Sequence, residues 1–231
     1  MPSLLVHVAL AALVAAVLLD EEFDRRSLTV VLAVTAFPDL DAIVALFVPG
    51  THRAALHTLL FPALLAFLVA VDVRRERSTL RTRHGTRGVR IAWVSILSLV
   101  CAGIALDLAH TGVNPLYPVY DRFYRFDGQI VVTTTLSAIQ PTTGLFTVPG
   151  GVLQLGAPSW WPFGELPQLG GITAEGSTAD THHPSPFDPT MGPDALHAER
   201  KIWIAGDGIR LVFVLTAALV VSLRLALDSR R

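Results

Sequence analysis

Three aspartates and three histidines stand within, or at the ends of, stretches otherwise built from Leu, Val, Ala and Ile: Asp39, Asp41, Asp107, His7, His57 and His110. An ionised Asp at the centre of a membrane helix costs about 2.5–3.5 kcal/mol on insertion scales, so each of these groups requires a partner. Carboxylates mixed with imidazoles suit Zn²⁺, Mn²⁺, Fe²⁺ or Ni²⁺, and do not suit soft Cu(I). Asp107 and His110 are spaced i and i+3, which puts them on one face of a continuous helix and within reach of a single ion. His52, Arg53 and His57 set two imidazoles and a guanidinium close together. His7, Asp39, Asp41, His57, Asp107 and His110 are therefore the expected ligands of one or two divalent ions, zinc foremost. Such a centre would activate water and clamp the attacking and leaving oxygens of a phosphoester. Arg53 could bind a phosphate oxygen, and His52 or a spare Asp could move the proton.

The ordinary alternatives are local. His7 could be an interfacial residue, Asp39 could cap the second half of a kinked helix, and Arg53 could answer lipid headgroups. What favours a shared site is the placement of all these groups at one end of the apolar segments. Of 231 residues, 52% are hydrophobic and 16% charged, and mean hydropathy is +0.52, which points to an all-α polytopic membrane protein. A hydrocarbon core of ~30 Å needs roughly 20 apolar residues in helix. Residues 3–19, 56–73, 89–109 and 209–227 meet that need. Residues 28–48 have the length but carry Pro38, Asp39 and Asp41 in their middle, which predicts a kinked span or a re-entrant pair. Free carbonyls at the kink are tolerated only where they line a cavity or find partners. Residues 3–19 read as a retained helix and not a secretory signal, because no Lys or Arg precedes them and no small-x-small site follows.

If 28–48 crosses, Arg25 and Arg26, the seven arginines from Arg74 to Arg90, and the tail Arg230 and Arg231 share one side, expected to be the cytoplasm. The chain then has about five spans, with the N-terminus, the polar cluster and a long irregular region before the last helix outside. The expected organisation is a membrane domain over 1–128, a Gly- and Pro-rich extracytoplasmic region over 129–208, and a final span with a cytoplasmic tail over 209–231. Within the outer region Trp160, Trp161 and Phe163 fit an element at headgroup level or a small core, and His182 and His183 read as solvated loop residues. Cys101, the lone cysteine, reads as a small core residue. Basic residues come in bursts without a surface stripe, which argues against a nucleic-acid partner.

Three phrases carry a family resemblance: Phe37-Pro38-Asp39-Leu40-Asp41, His52-Arg53-Ala54-Ala55-Leu56-His57-Thr58, and the stretch from Asp107-Leu108-Ala109-His110 through Gly112 to Pro118. With an early His7 they resemble the YdjM-type membrane-bound metal-dependent hydrolases over residues 1–128. The resemblance implies that His7, Asp39, Asp41, His52, Arg53, His57, Asp107 and His110 belong to one site. It further implies a more distant kinship with zinc-dependent phospholipase C and nuclease folds. Ala54 and Thr58 depart from the Gly and Ser usual in that family, and the region after residue 111 has no match beyond its beginning. The expected function is a plasma-membrane hydrolase acting at the outer face on a phosphoester or lipid-associated substrate. A metal-ion or proton transporter needs polar groups through the full thickness, which the cytoplasmic halves of these spans lack. A noncatalytic scaffold, its polar cluster fastening helices together, is the other alternative.

Overall fold

A computed structural model of the chain describes residues 3–126, 131–133, 145–148, 151–154, 172–190, 200 and 204–228. The chain is a mostly helical membrane protein. Helix α1 is Leu4–Leu18, α2 is Arg25–Ala36, α3 is Asp41–Val44, α4 is Leu60–Arg74, α5 is Thr79–Ser98, α6 is Ala105–Leu108 and α7 is Gly208–Asp228. Two irregular turns weld short pieces into longer units: a 3₁₀ turn, Phe37–Leu40, between α2 and α3, and a π-helical turn, Leu99–Ile104, between α5 and α6. The resulting units Arg25–Val44 and Thr79–Leu108, together with α7, are long and apolar enough to cross a membrane; α1 is a shorter apolar helix. The five expected segments thus all appear as helical units, and the one containing Pro38 runs on through its 3₁₀ turn.

Why the segments pack as they do follows from side-chain size. α1 turns Ala11, Ala12, Ala15 and Ala16 inward, and such small residues let neighbouring backbones approach closely. Against them lie Leu28 and Val31 of α2, Val94 of α5, Phe23 and Ala102. α7 packs on α1, and most of its remaining apolar surface, Ile209, Val212, Leu215 and Leu219 included, stays exposed in the isolated chain as lipid-facing helices do. Cys101 is exposed and not in the core, since the π turn carries it outward while Leu99, Ala102 and Ile104 face in.

The end opposite the acids is ionic. Asp24 caps α2 by accepting from the Ser27 amide at 2.8 Å, and its other oxygen takes the Arg87 guanidinium. Arg90 donates to the Leu18 carbonyl at 2.9 Å and Arg224 to that of Asp20 at 2.8 Å. These contacts bring the ends of α1 and α7 together with the beginning of α2 and the part of α5 that follows its non-helical residue Gly85. The opposite termini therefore meet at the other end of the bundle.

The region before α7 is not wholly irregular. Strand β1 (Tyr124–Phe126) pairs antiparallel with β5 (Ile172–Ala174), Arg125 opposite Thr173. Strands β2 (Val131–Thr133), β3 (Leu145–Val148) and β4 (Gly151–Gln154) form a second antiparallel sheet in the order β2-β4-β3. Residues 160–163, read from sequence as an aromatic cluster, lie outside the described residues.

Candidate metal centre

The irregular turns decide what the acids see. Pro38 stands in a 3₁₀ turn over residues 37–40, which the Asp41 amide closes on the Pro38 and Asp39 carbonyls. The Phe37 ring stacks on Phe61 with centroids 5.2 Å apart, holding the turn against the start of α4. Asp39 and Asp41 then project to different neighbours. In the π turn the ladder shifts from i+4 to i+5, as the Ala105 amide to the Val100 carbonyl shows. The nearby Ala102 carbonyl accepts from His7 Nδ1 at 2.5 Å.

That hydrogen bond sets the chemistry of His7. A carbonyl can only accept, so Nδ1 carries the proton and, in the neutral ring, Nε2 keeps its lone pair. Nε2 stands 3.4 Å from Asp107 Oδ1. His57 is arranged the same way. Its Nδ1 donates to Asp41 Oδ2 at 2.7 Å, while Nε2 faces Asp107 Oδ2 at 3.1 Å and Asp39 Oδ1 at 3.8 Å. Asp107, from α6, is thus met by His7 of α1 on one oxygen and by His57, from the loop before α4, on the other. Ligand atoms of His7, Asp39 and Asp107 lie within 4.8 Å of one another. His7, His57 and Asp107 are each about 1% exposed and the Asp39 side chain is 29% exposed, so the group opens to its surroundings on the Asp39 side.

Asp41, expected as a ligand, has its oxygens occupied. Oδ1 accepts from His52 Nδ1 at 2.9 Å, and Oδ2 accepts from both His57 Nδ1 and the Arg53 amide, at 2.8 Å for the latter. It is the carboxylate that orients two histidines. His110 is not drawn in either. α6 stops at Leu108, and the Asp107 carbonyl gathers the amides of His110, Thr111 and Gly112 at 2.9–3.1 Å into a turn that Gly112 completes at φ +91°. His110 ends up exposed, with no hydrogen bond or ion pair to the group among the described residues.

Arg53 is buried and takes the left-handed conformation, φ +64°, which is uncommon for a side chain of this size and is met where surroundings impose it. Asp41 accepts from its amide and the Asn114 amide donates to its carbonyl at 2.9 Å, which locks that backbone from both sides. Nη2 lies 3.2 Å from Asp107 Oδ1, while Nε and Nη1 are buried with no hydrogen-bond partner among the described residues. Asp107 Oδ1, flanked by Arg53 and His7, likewise has no well-aligned hydrogen bond.

A residue not foreseen from sequence joins this neighbourhood. The segment 172–190 is docked on the site by several contacts: Phe123 donates to the Gly176 carbonyl at 3.0 Å, and Thr178 donates to Asp121 Oδ2 through its hydroxyl at 2.6 Å. Gly50, at φ +79°, lets the segment lie flush; a Cβ there would fall 1.9 Å from the Thr178 carbonyl oxygen. His183 is therefore buried, edge-on to the Phe123 ring at 4.8 Å, with Nε2 unpartnered among the described residues. Burial first, then the positive fields of Arg53 and His52, push its imidazole down to about 3. It is no solvated loop histidine. Apart from the His-His doublet itself, nothing in its Ser- and Pro-rich surroundings distinguishes it in the sequence.

A family described as YdjM inner membrane protein matches residues 1–162. No curated protein and no solved structure matches the chain.

Proposed function

The chain belongs to the YdjM inner membrane protein family, and from that premise we propose that it is a membrane-bound metal-dependent hydrolase acting on a phosphoester or lipid-associated substrate at the outer membrane face. The observation that carries this reading is the commitment of both ring Nδ1 atoms. With His7 tied to the Ala102 carbonyl and His57 to Asp41, both Nε2 lone pairs face carboxylate oxygens, a repulsive arrangement unless a cation lies between them or the rings are protonated. Ligands each 2.0–2.1 Å from a common centre stand about 3.3 Å apart; His7 Nε2 is 3.4 Å from Asp107 Oδ1, and His57 Nε2 is 3.1 Å from the other Asp107 oxygen and 3.8 Å from Asp39 Oδ1. Charge balance points the same way. Asp39, Asp41 and Asp107 against Arg53 leave two negative charges in a largely dry site, which one divalent ion cancels.

Zinc suits this donor set best, with manganese, iron or nickel as alternatives. His7, His57, Asp39 and Asp107 would hold the ion, which when bound supplies Lewis-acid activation of water and of a phosphoryl oxygen. Asp41 fixes the ring orientation of His57 and His52, and the Ala102 carbonyl that of His7. His52, largely buried and anchored through Nδ1, has its second nitrogen for proton transfer. Arg53 binds the substrate anion. The arginine-rich ends of the helices at the far side support a cytoplasmic location for that end by the positive-inside bias, which puts the site outside.

Elemental analysis of detergent-purified protein tests the reading. Wild type and His110→Ala are expected to hold near-stoichiometric metal and Asp107→Ala to lose it. Equal metal in all three, or none in wild type, refutes the centre. Hydrolysis of a chromogenic phosphodiester, abolished by chelator and by Asp39→Ala, separates enzyme from scaffold. Metal or proton flux into liposomes without hydrolysis would establish a transporter instead.

A further inference from the structure

Two buried nitrogen-bearing side chains next to the metal ligands have hydrogen-bonding capacity that the site described so far leaves unused. Arg53 keeps Nε and Nη1 without partners and His183 keeps Nε2 without one, among the described residues. A buried donor left unmade costs on the order of 1–3 kcal/mol, more where the group is charged, so orphans of this kind are rare unless a ligand completes them. The two residues belong to one connected piece of structure. The Arg53 carbonyl holds the Asn114 amide, Val113 pairs with Tyr124 through hydrogen bonds of 2.8 and 2.9 Å, and the neighbouring Phe123 carries the His183 ring.

We propose that Arg53 and His183 together form an oxyanion subsite beside the metal ligands, which takes the tetrahedral phosphate group of the substrate. This rests on the hydrolase reading for the role of the anion, and adds a residue from the 172–190 segment to the site. Arg53 supplies charge and N–H groups from a locked backbone, and His183 supplies a directional nitrogen from the 172–190 segment. The segment that carries His183 is anchored through Gly50, Asp121 and Phe123. A cavity of about 480 Å³, lined by Leu46, Pro49, Gly50, Thr181, His182 and Phe187, runs along the seam between the same segment and the loop after α3.

The test is calorimetric titration of the full-length, zinc-loaded protein in detergent, with inorganic phosphate in one arm and a short-chain phosphatidic acid in the other. His183→Phe keeps the ring on Phe123 and removes the nitrogens. It is expected to weaken both ligands about tenfold or more while zinc content, measured on the same samples, stays at the wild-type level. Phosphatidic acid binding tighter than phosphate identifies a lipid-borne headgroup; equal binding identifies the phosphate alone. Undiminished binding in His183→Phe, or no phosphate binding by zinc-loaded wild type, overturns the subsite. Absence of zinc from wild type would instead count against the hydrolase reading, and the titration would still report on Arg53 and His183. Should His183→Phe fail to fold, histidine-selective ¹⁵N NMR of wild type decides: the His183 Nε2 resonance must move on phosphate addition, and an unmoved resonance refutes the proposal.

Discussion

Asp41→Asn separates a ligand from the group that orients ligands. Asp41 is fully buried and accepts three hydrogen bonds, from His52 Nδ1, His57 Nδ1 and the Arg53 amide. Asn has nearly the same shape but only one acceptor oxygen, so at least one imidazole meets an NH₂ group and must turn or lose its proton. If that ring is His57, its Nε2 no longer faces Asp107 and Asp39. Loss of an orienting carboxylate behind a ligating histidine lowers metal affinity about 10- to 100-fold, or about 1.4–2.8 kcal/mol. Removing Asp107, whose oxygens face both Nε2 atoms, is expected to cost more. Competition for zinc against a chromogenic chelator, on monodisperse detergent-solubilised protein, reads all of these. The expected order of affinity is wild type, then His52→Ala, then Asp41→Asn, then Asp107→Ala. Zinc affinity of Asp41→Asn within about twofold of wild type would refute the supporting role. Loss as complete as in Asp107→Ala would make Asp41 a direct ligand.

Gly50→Ala should undock the 172–190 segment, because its Cβ meets backbone and a positive φ disfavours any side chain; limited proteolysis within 172–190 is expected to accelerate and melting to fall by the equivalent of about 1–3 kcal/mol. At the opposite end, burial tends to raise Asp24, but the Ser27 amide and the Arg87 guanidinium outweigh it and hold the carboxyl at about 2. Its folded pKa lies below the unfolded value, so the stabilisation is complete above pH ~4 and fades as pH falls through 2; thermal melts between pH 5 and 2 should be steeper for wild type than for Asp24→Asn. Topology is open to labelling: in a Cys101→Ser background, Ala179→Cys, at an exposed position of the 172–190 segment, should react with an impermeant maleimide from outside the cell and Arg77→Cys only after permeabilisation, and the reverse pattern would invert the proposed orientation.

The apolar segments and the gathering of their acids at one end could be read without a structure. The reason is that a hydrocarbon slab imposes a fixed helix length and a steep cost on each charge, and both leave their mark in linear order. The family signature in Pro38-Asp39-Leu40-Asp41, His52-Arg53 and Asp107 had the same legibility. The division of labour within the cluster did not. Helical spacing placed His110 beside Asp107, but α6 ends at Leu108 and a turn sends it outward. The same spacing could not distinguish Asp39 from Asp41, whose neighbours depend on a 3₁₀ turn, nor foresee the Ala102 carbonyl that a π turn presents to His7. His183 entered the neighbourhood only because a segment more than a hundred residues from Arg53 folds back over it. Periodicity records which residues share a face of one regular helix; ring tautomers, lone pairs and closing loops are set where regular helices break and distant chain segments meet.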